Sequence, residues 1–214
     1  MRVLLTAGPT REYLDDVRYL SNASSGQMGY ALAAAIRDAG HDVILVSGPV
    51  ALAPPANCEI VPVETTREMY EACLQEFPRC DGVIAVAAVC DYRPVQRSAG
   101  KLAKTGGVLR LELEETEDIL ATLGAAKGHR WVVGFALEPG VEAREKALRK
   151  LREKGCDAIV LNHPSAIGSS QNSVAVLLPD ASTALELAGT KTEISQALWD
   201  WIASELAASG PNPS

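Results

Sequence analysis

S-N-A-S-S-G-Q-M-G (Ser21–Gly29) is small, polar and glycine-rich. It stands between an apolar strand-like run, R-V-L-L-T-A (residues 2–7), and a helical run, Y-A-L-A-A-A-I-R-D-A (residues 30–39). Strand, glycine-rich turn and helix together are a common way to hold a phosphate, on main-chain N–H groups and the positive end of the helix. Here fifteen residues, G-P-T-R-E-Y-L-D-D-V-R-Y-L-S-N (residues 8–22), separate the strand from the turn.

Outward from this stretch, short runs rich in Val, Ile and Leu alternate with helical patterns. The runs predict strands at residues 3–7, 43–47, 82–88, 131–136 and 157–162, and helices at about 27–39, 66–77, 117–127, 140–154 and 191–208. Continuously apolar strands separated by helices indicate an α/β fold, a three-layer Rossmann-like, mostly parallel sheet with helices on both faces. Ligands of such sheets bind beyond the carboxyl ends of the strands. That directs attention to Gly8–Gly29, Ser47–Pro49, Ala87–Pro94, Phe135–Glu138 and Asn162–Pro164. Two segments break the alternation: residues 91–107, a polar excursion long enough to be a flap, and residues 174–187, where P-D-A-S-T separates two strand-like runs as in a hairpin near the C-terminus. One domain over residues 1–208 and a frayed tail at 209–214 are expected.

The net charge of −7 argues against binding duplex nucleic acid or an anionic membrane surface, and leaves room for a nucleotide in a locally basic pocket. Five cysteines, an odd number with no C-x-x-C pair, indicate neither a disulfide framework nor a zinc site. Reduced thiols in a cytoplasmic protein follow. The opening apolar run is too short for a signal peptide, and no uninterrupted apolar run is long enough to span a membrane.

S-S-G-Q-M-G (Ser24–Gly29) is a dinucleotide fingerprint with serine in place of its first glycine. Gly26 and Gly29 serve equally well to let a helix pack closely on a sheet, and Ser25 reads equally well as an N-cap. A nicotinamide site also needs an acidic residue near position 47 to hold the ribose; V-S-G-P stands there, and no Y-x-x-x-K is present. An anion bound on the N–H groups of Ser25–Gly29 needs no such acid.

L-L-T-A-G-P-T-R-E-Y-L-D-D-V-R-Y-L-S-N-A-S-S-G-Q-M-G-Y-A-L-A, followed in register by L-V-S-G-P, A-A-V-C-D-Y-R-P, K-L-A-K, V-V-G-F-A and C-D-A-I-V-L-N, resembles the phosphopantothenoylcysteine synthetase (phosphopantothenate–cysteine ligase) family of coenzyme A biosynthesis over about residues 3–180. The resemblance implies a two-step ligation. The phosphopantothenate carboxylate attacks the α-phosphate of a nucleoside triphosphate, CTP in preference to ATP, with release of pyrophosphate. The amine of cysteine then attacks the acyl-nucleotidylate, forming the amide and releasing the nucleoside monophosphate. Positioning and charge neutralisation drive such a reaction, in keeping with three histidines and no evident nucleophile–base set. The resemblance also implies a magnesium ion, a homodimer, and a flavin-dependent decarboxylase as a separate protein, with no flavin in this chain.

Carried over residue by residue, the resemblance makes Asn22 the residue that handles the activated carboxylate and Lys101, with Lys104, the lysines of a flap. Asp91 would meet the nucleotide and its magnesium, Ala87 and Ala88 offer main-chain contacts, and Phe135 meets the base. Asp118 and Ile119 belong to the nucleotide motif, and Lys150 and Lys154, four apart on one helical face, reach the triphosphate. Gly26 and Gly29 line the nucleotide turn; Ser24, Ser25, Arg11 and Arg18 are candidates for the substrate. Several positions depart from the pattern. T-E-D-I (Thr116–Ile119) replaces N-P-D-I, Gln27 replaces a lysine, Ala23 stands where an arginine or histidine is common, Ala103 replaces a flap lysine, and Cys90 replaces alanine as a small buried thiol. These changes leave CTP against ATP open. A nicotinamide-dependent reductase, or a non-catalytic nucleotide-binding protein on the same scaffold, are the alternatives.

Overall fold

The computed structural model describes residues 1–104, 106–162 and 171–208. His163 and Pro164, at the end of one strand singled out above, and the tail 209–214 lie outside the described residues.

β1 (Arg2–Ala7) is the hub of the sheet. It pairs in parallel with β4 (Asp42–Ser47) on one side and β6 (Gly82–Ala85) on the other. β4 continues to β5 (Glu59–Pro62), and β6 to β9 (Trp131–Leu137) and β10 (Ala158–Asn162), all parallel. Beyond β10 the chain adds β11 (Gln171–Leu177) and β12 (Thr183–Thr190) antiparallel, so the eight-stranded order is β12-β11-β10-β9-β6-β1-β4-β5. The parallel part reverses its winding between β1 and β6, the switch point at which doubly wound sheets leave a crevice.

Period-two alternation sends neighbouring side chains to opposite faces. Val3, Leu5 and Ala7 meet α1 (Gln27–Asp38) and α5 (Lys191–Trp201), with Leu32, Ile36, Leu198 and Trp199 buried between. Leu4, Ile44 and Val83 meet the opposite layer of α2 (Thr66–Glu76), α3 (Ile119–Ala125) and α4 (Ala143–Glu153), through Met69, Leu123 and Leu151. The three-layer expectation holds. No helix among the described residues is long and apolar enough to cross a membrane.

Element ends differ from the sequence expectation for local reasons. The strand expected over 82–88 stops at Ala85, because the Thr6 hydroxyl accepts from the N–H groups of Val86 and Ala87 (3.1 Å each) and turns the chain off the sheet. The helix expected from 117 starts at Ile119, after Asp118 caps it by accepting from Ala121 N–H at 3.0 Å. The last helix changes to a π turn at Ile202–Leu206. Two small antiparallel arms were not expected: β2 (Arg11–Tyr13) with β3 (Tyr19–Ser21), and β7 (Tyr92–Pro94) with β8 (Leu113–Glu115).

Candidate active site

The fifteen residues between β1 and the glycine turn build the site wall from inside. After Gly8, the Gly8 carbonyl accepts from Ala88 N–H at 2.9 Å, and the buried Thr10 hydroxyl accepts from Cys90 N–H at 2.8 Å. Thr10 also meets the Thr66 hydroxyl at 3.0 Å, and Thr66 donates to the Cys90 carbonyl at 3.3 Å. The buried Glu12 carboxylate accepts from Thr66 N–H at 2.8 Å, at the positive end of α2. The A-A-V-C-D loop after β6 is thus fixed by hydrogen bonds from T-A-G-P-T-R-E. Cys90 is buried in this contact, and burial raises its thiol pKa.

The chain returns through Asn22, whose Nδ2 donates to the carbonyls of Val89 (2.8 Å) and Ala88 (3.2 Å). These bonds hold the Asn22 amide against the loop after β6, at the cavity. The turn then enters α1 with Gly26, not Ser25, as N-cap, at φ 75° and with no side-chain cap. The first N–H groups of α1, at Gln27, Met28 and Gly29, have no intrahelical acceptor and open onto a cavity of about 700 Å³. Gly29 brings α1 against β1, since a Cβ there would lie 2.5 Å from the Ala7 Cβ. Gly29 bears out the packing account, and the uncapped turn after Gly26 leaves the N–H groups that an anion-binding account would use.

The cavity lies beyond the carboxyl ends of β1, β6, β9 and β10 and has a volume typical of a small-molecule site. Asn22, Ser24, Ser25, Gly26, Gly29, Ala87, Ala88, Asp91, Asp118, Ile119, Phe135, Lys150 and Lys154 all line it. Lys150 and Lys154 come from the end of α4, pairing with Glu138 at 2.5 Å and Asp118 at 3.2 Å. Three candidates stand elsewhere. Arg11 pairs with Glu64 at 3.4 Å and lies over the Tyr19 ring. Arg18 pairs with Asp15 at 2.6 Å, and the exposed Lys101 is outside the lining.

The altered T-E-D-I motif has a local explanation. Thr116 donates to the Cys90 carbonyl at 2.6 Å, and Glu117 pairs with Arg93 at 3.0 Å and Arg67 at 2.7 Å. Burial pushes the Glu117 carboxyl up, but hydrogen bonds from main-chain N–H and Arg93 outweigh it and keep the pKa below its ordinary value. The extra carboxylate is thereby matched by two guanidiniums. Lys191, Thr6, Tyr92, Glu115 and Asn162 also line the cavity and were not singled out as site residues. Lys191 opens α5, whose docking beside α1 brings it there; nothing local in the sequence carries that information.

Among the described residues no group of three or more His, Cys, Asp or Glu side chains could hold a metal by itself. Asp91 is exposed at the cavity and has no ion pair among the described residues, which suits a magnesium ion that arrives on phosphate oxygens.

The pattern of the DNA/pantothenate metabolism flavoprotein C-terminal domain matches residues 1–206. The coenzyme A biosynthesis bifunctional protein CoaBC of Vibrio vulnificus (strain YJ016) is 41% identical over 192 residues, 86% of this chain and 48% of that protein. The chain thus spans about half the length of the curated relatives it matches. A crystal structure of the C-terminal domain of a CoaBC protein is 40% identical, with a TM-score of 0.81 over 97% of this chain and 98% of that one. A Cab2 mutant in complex with phosphopantothenate-cysteine shares the fold at 16% identity, with a TM-score of 0.77 over 94% of this chain and 87% of that one. By the match over residues 1–206 and these identities, the chain belongs to the DNA/pantothenate metabolism flavoprotein C-terminal domain family.

Proposed function

We propose that this chain joins 4'-phosphopantothenate to L-cysteine through an acyl-nucleotidylate, with CTP or ATP as the activating nucleotide. One observation carries the reading: the uncapped N–H groups of α1 line the same cavity as Lys150 and Lys154, lysines that can exchange their Glu138 and Asp118 partners for phosphate oxygens. The substrate carboxylate attacks the α-phosphorus, the bond to the β-phosphate oxygen breaks, and pyrophosphate leaves with the electron pair. The cysteine amine then attacks the acyl carbon, the nucleoside monophosphate leaves, and the amine gives up a proton.

Asn22, held at the cavity by the carbonyls of Ala88 and Val89, handles the activated carboxylate, its amide donating to the acyl oxygen as charge develops there. Phe135 supplies an apolar surface for the base. Asp91 would hold the magnesium ion, which neutralises phosphate charge when bound. A cytoplasmic homodimer completes the proposal, with Lys101 as the flap lysine that closes over the cavity.

The test is pyrophosphate release from CTP or ATP with phosphopantothenate, with and without cysteine. Release that needs phosphopantothenate, and amide formation only with cysteine, is expected. No release with either nucleotide would leave a non-catalytic binding protein.

A further inference from the structure

Residues 97–102 are tied to the turn between β2 and β3 rather than extended into solvent. Ser98 N–H donates to the Leu14 carbonyl at 2.9 Å, and Asp16 N–H donates to the Gly100 carbonyl at 3.2 Å. The Asp16 carboxylate accepts from Gly100 N–H at 2.7 Å and pairs with Arg97 at 3.0 Å. The Arg97 guanidinium lies over the Tyr13 ring, 4.8 Å from its centre.

Asp15 is the centre of this contact. Its side chain is wholly buried and accepts from Val17 N–H (2.8 Å), Arg18 N–H (2.7 Å), Arg18 Nε (2.8 Å) and Leu102 N–H (3.0 Å). Arg18 closes the ring by donating to the Leu102 carbonyl at 2.6 Å. A carboxylate with this many donors is fixed in place, and it joins two segments about ninety positions apart in the chain. Lys101 lies between the two anchored residues, Gly100 and Leu102.

We propose that Asp15, assisted by Asp16 and Arg18, is a positioning residue that latches the root of the flap and so sets where Lys101 stands before ligands bind. The insertion between β1 and the glycine turn then has two tasks, holding the A-A-V-C-D loop with Thr10 and Glu12 and holding the flap root with Asp15 and Asp16. Arg18 serves the latch, not a substrate phosphate. The consequence for catalysis rests on the reading of Lys101 as a flap lysine.

The test uses Asp15→Asn and, because that site is buried, Asp16→Ala at the exposed end of the same contact. Amide hydrogen exchange at Leu102 in the first variant, and at Gly100 in the second, is expected to rise at least about 10-fold, with tryptic cleavage after Lys101 faster to a similar degree. Core amides of β1 and β6 should keep their protection. Unchanged exchange and cleavage in both variants would overturn the latch. For turnover, the Asp15→Asn/Lys101→Ala double variant should be no slower than Lys101→Ala, since Asp15 acts through that lysine. Losses that multiply would show a role in folding only and overturn the positioning role. If Lys101→Ala alone turns over normally, the reading of Lys101 falls, and exchange and cleavage still decide the latch.

Discussion

At Gly29 an added methyl would lie 2.5 Å from the Ala7 Cβ and 3.2 Å from its Cα, in a contact between α1 and β1 where neither backbone can move alone. Gly29→Ala should therefore cost about 1–3 kcal/mol, seen as a melting temperature lower by roughly 2–12 °C. An unchanged melting temperature would mean that α1 does not sit so close. At Gly26 the near atom is the Val50 Cγ1, at 2.7 Å, and the left-handed φ of 75° adds strain. Gly26→Ala should cost about 1 kcal/mol and disturb the open N–H groups more than the fold. Asp15 makes the clearest pH prediction. Burial alone would raise its carboxyl, but the N–H groups of Val17 and Leu102 and both donors of Arg18 hold it far below the ordinary carboxylate range. Its folded pKa being depressed, its contribution is present above about pH 4 and drains away as pH falls further. Urea midpoints measured from pH 5 down to pH 2 should drop steeply in the wild type and less steeply in Asp15→Asn. Glu117, Asp180 and Glu193 are depressed in the same sense and keep some slope in the variant. Equal slopes would remove Asp15 as the main acid-sensitive group.

At the scale of elements, the parallel strands were legible because each is buried on both faces and so reads as a continuous apolar run, as V-I-L-V-S at β4 shows. β5 was not. As the edge strand E-I-V-P it has exposed ends and only half-buried centres, with no pattern strong enough to mark it. The arms β2–β3 and β7–β8 were illegible for a related reason: three-residue strands carry no period, and they form because Thr10, Asp15 and Cys90 find partners far along the chain. Among site residues, those on strand ends and the glycine turn were placed by topology. Arg11, Arg18 and Lys101 could not be, since their surroundings depend on Glu64, Asp15 and the flap root. Lys154 belongs to this scale because α4 presents it from its C-cap, where it faces Asp118, the N-cap of α3. Lys154→Ala leaves Asp118 bonded to Ala121 N–H and so should spare both helices. It should raise the nucleotide KM about 10-fold with a smaller change in kcat, the mark of binding lost equally from ground and transition states. A fall confined to kcat would give Lys154 a part in the chemistry itself.

Across the whole molecule, a chain of net charge −7 brings Lys150, Lys154, Lys191 and the open end of α1 to one cavity at the switch point, beside the carboxylates of Asp91, Glu115, Glu117 and Asp118. The open end of α1 and the lysines suit a phosphate chain; what a nicotinamide dinucleotide lacks here is the acid that would hold its ribose. Ser47, at the end of β4 where a ribose-binding acid would stand, is buried, and its hydroxyl is engaged with the Tyr30 hydroxyl and the Gly48 carbonyl (3.0 and 2.9 Å). A ligand that binds only the folded chain stabilises it by about 2.7 kcal/mol at one hundred times its dissociation constant. For a domain of this size that is a shift of roughly 5–11 °C. CTP or ATP with magnesium should give such a rise in thermal unfolding, and NADPH at the same concentration should give none. The rise should shrink in Lys150→Ala and Lys154→Ala, because the field that selects the triphosphate is local. A shift with NADPH equal to that with the triphosphates would show that the cavity does not tell a triphosphate from a dinucleotide, and would favour the reductase reading over the ligase.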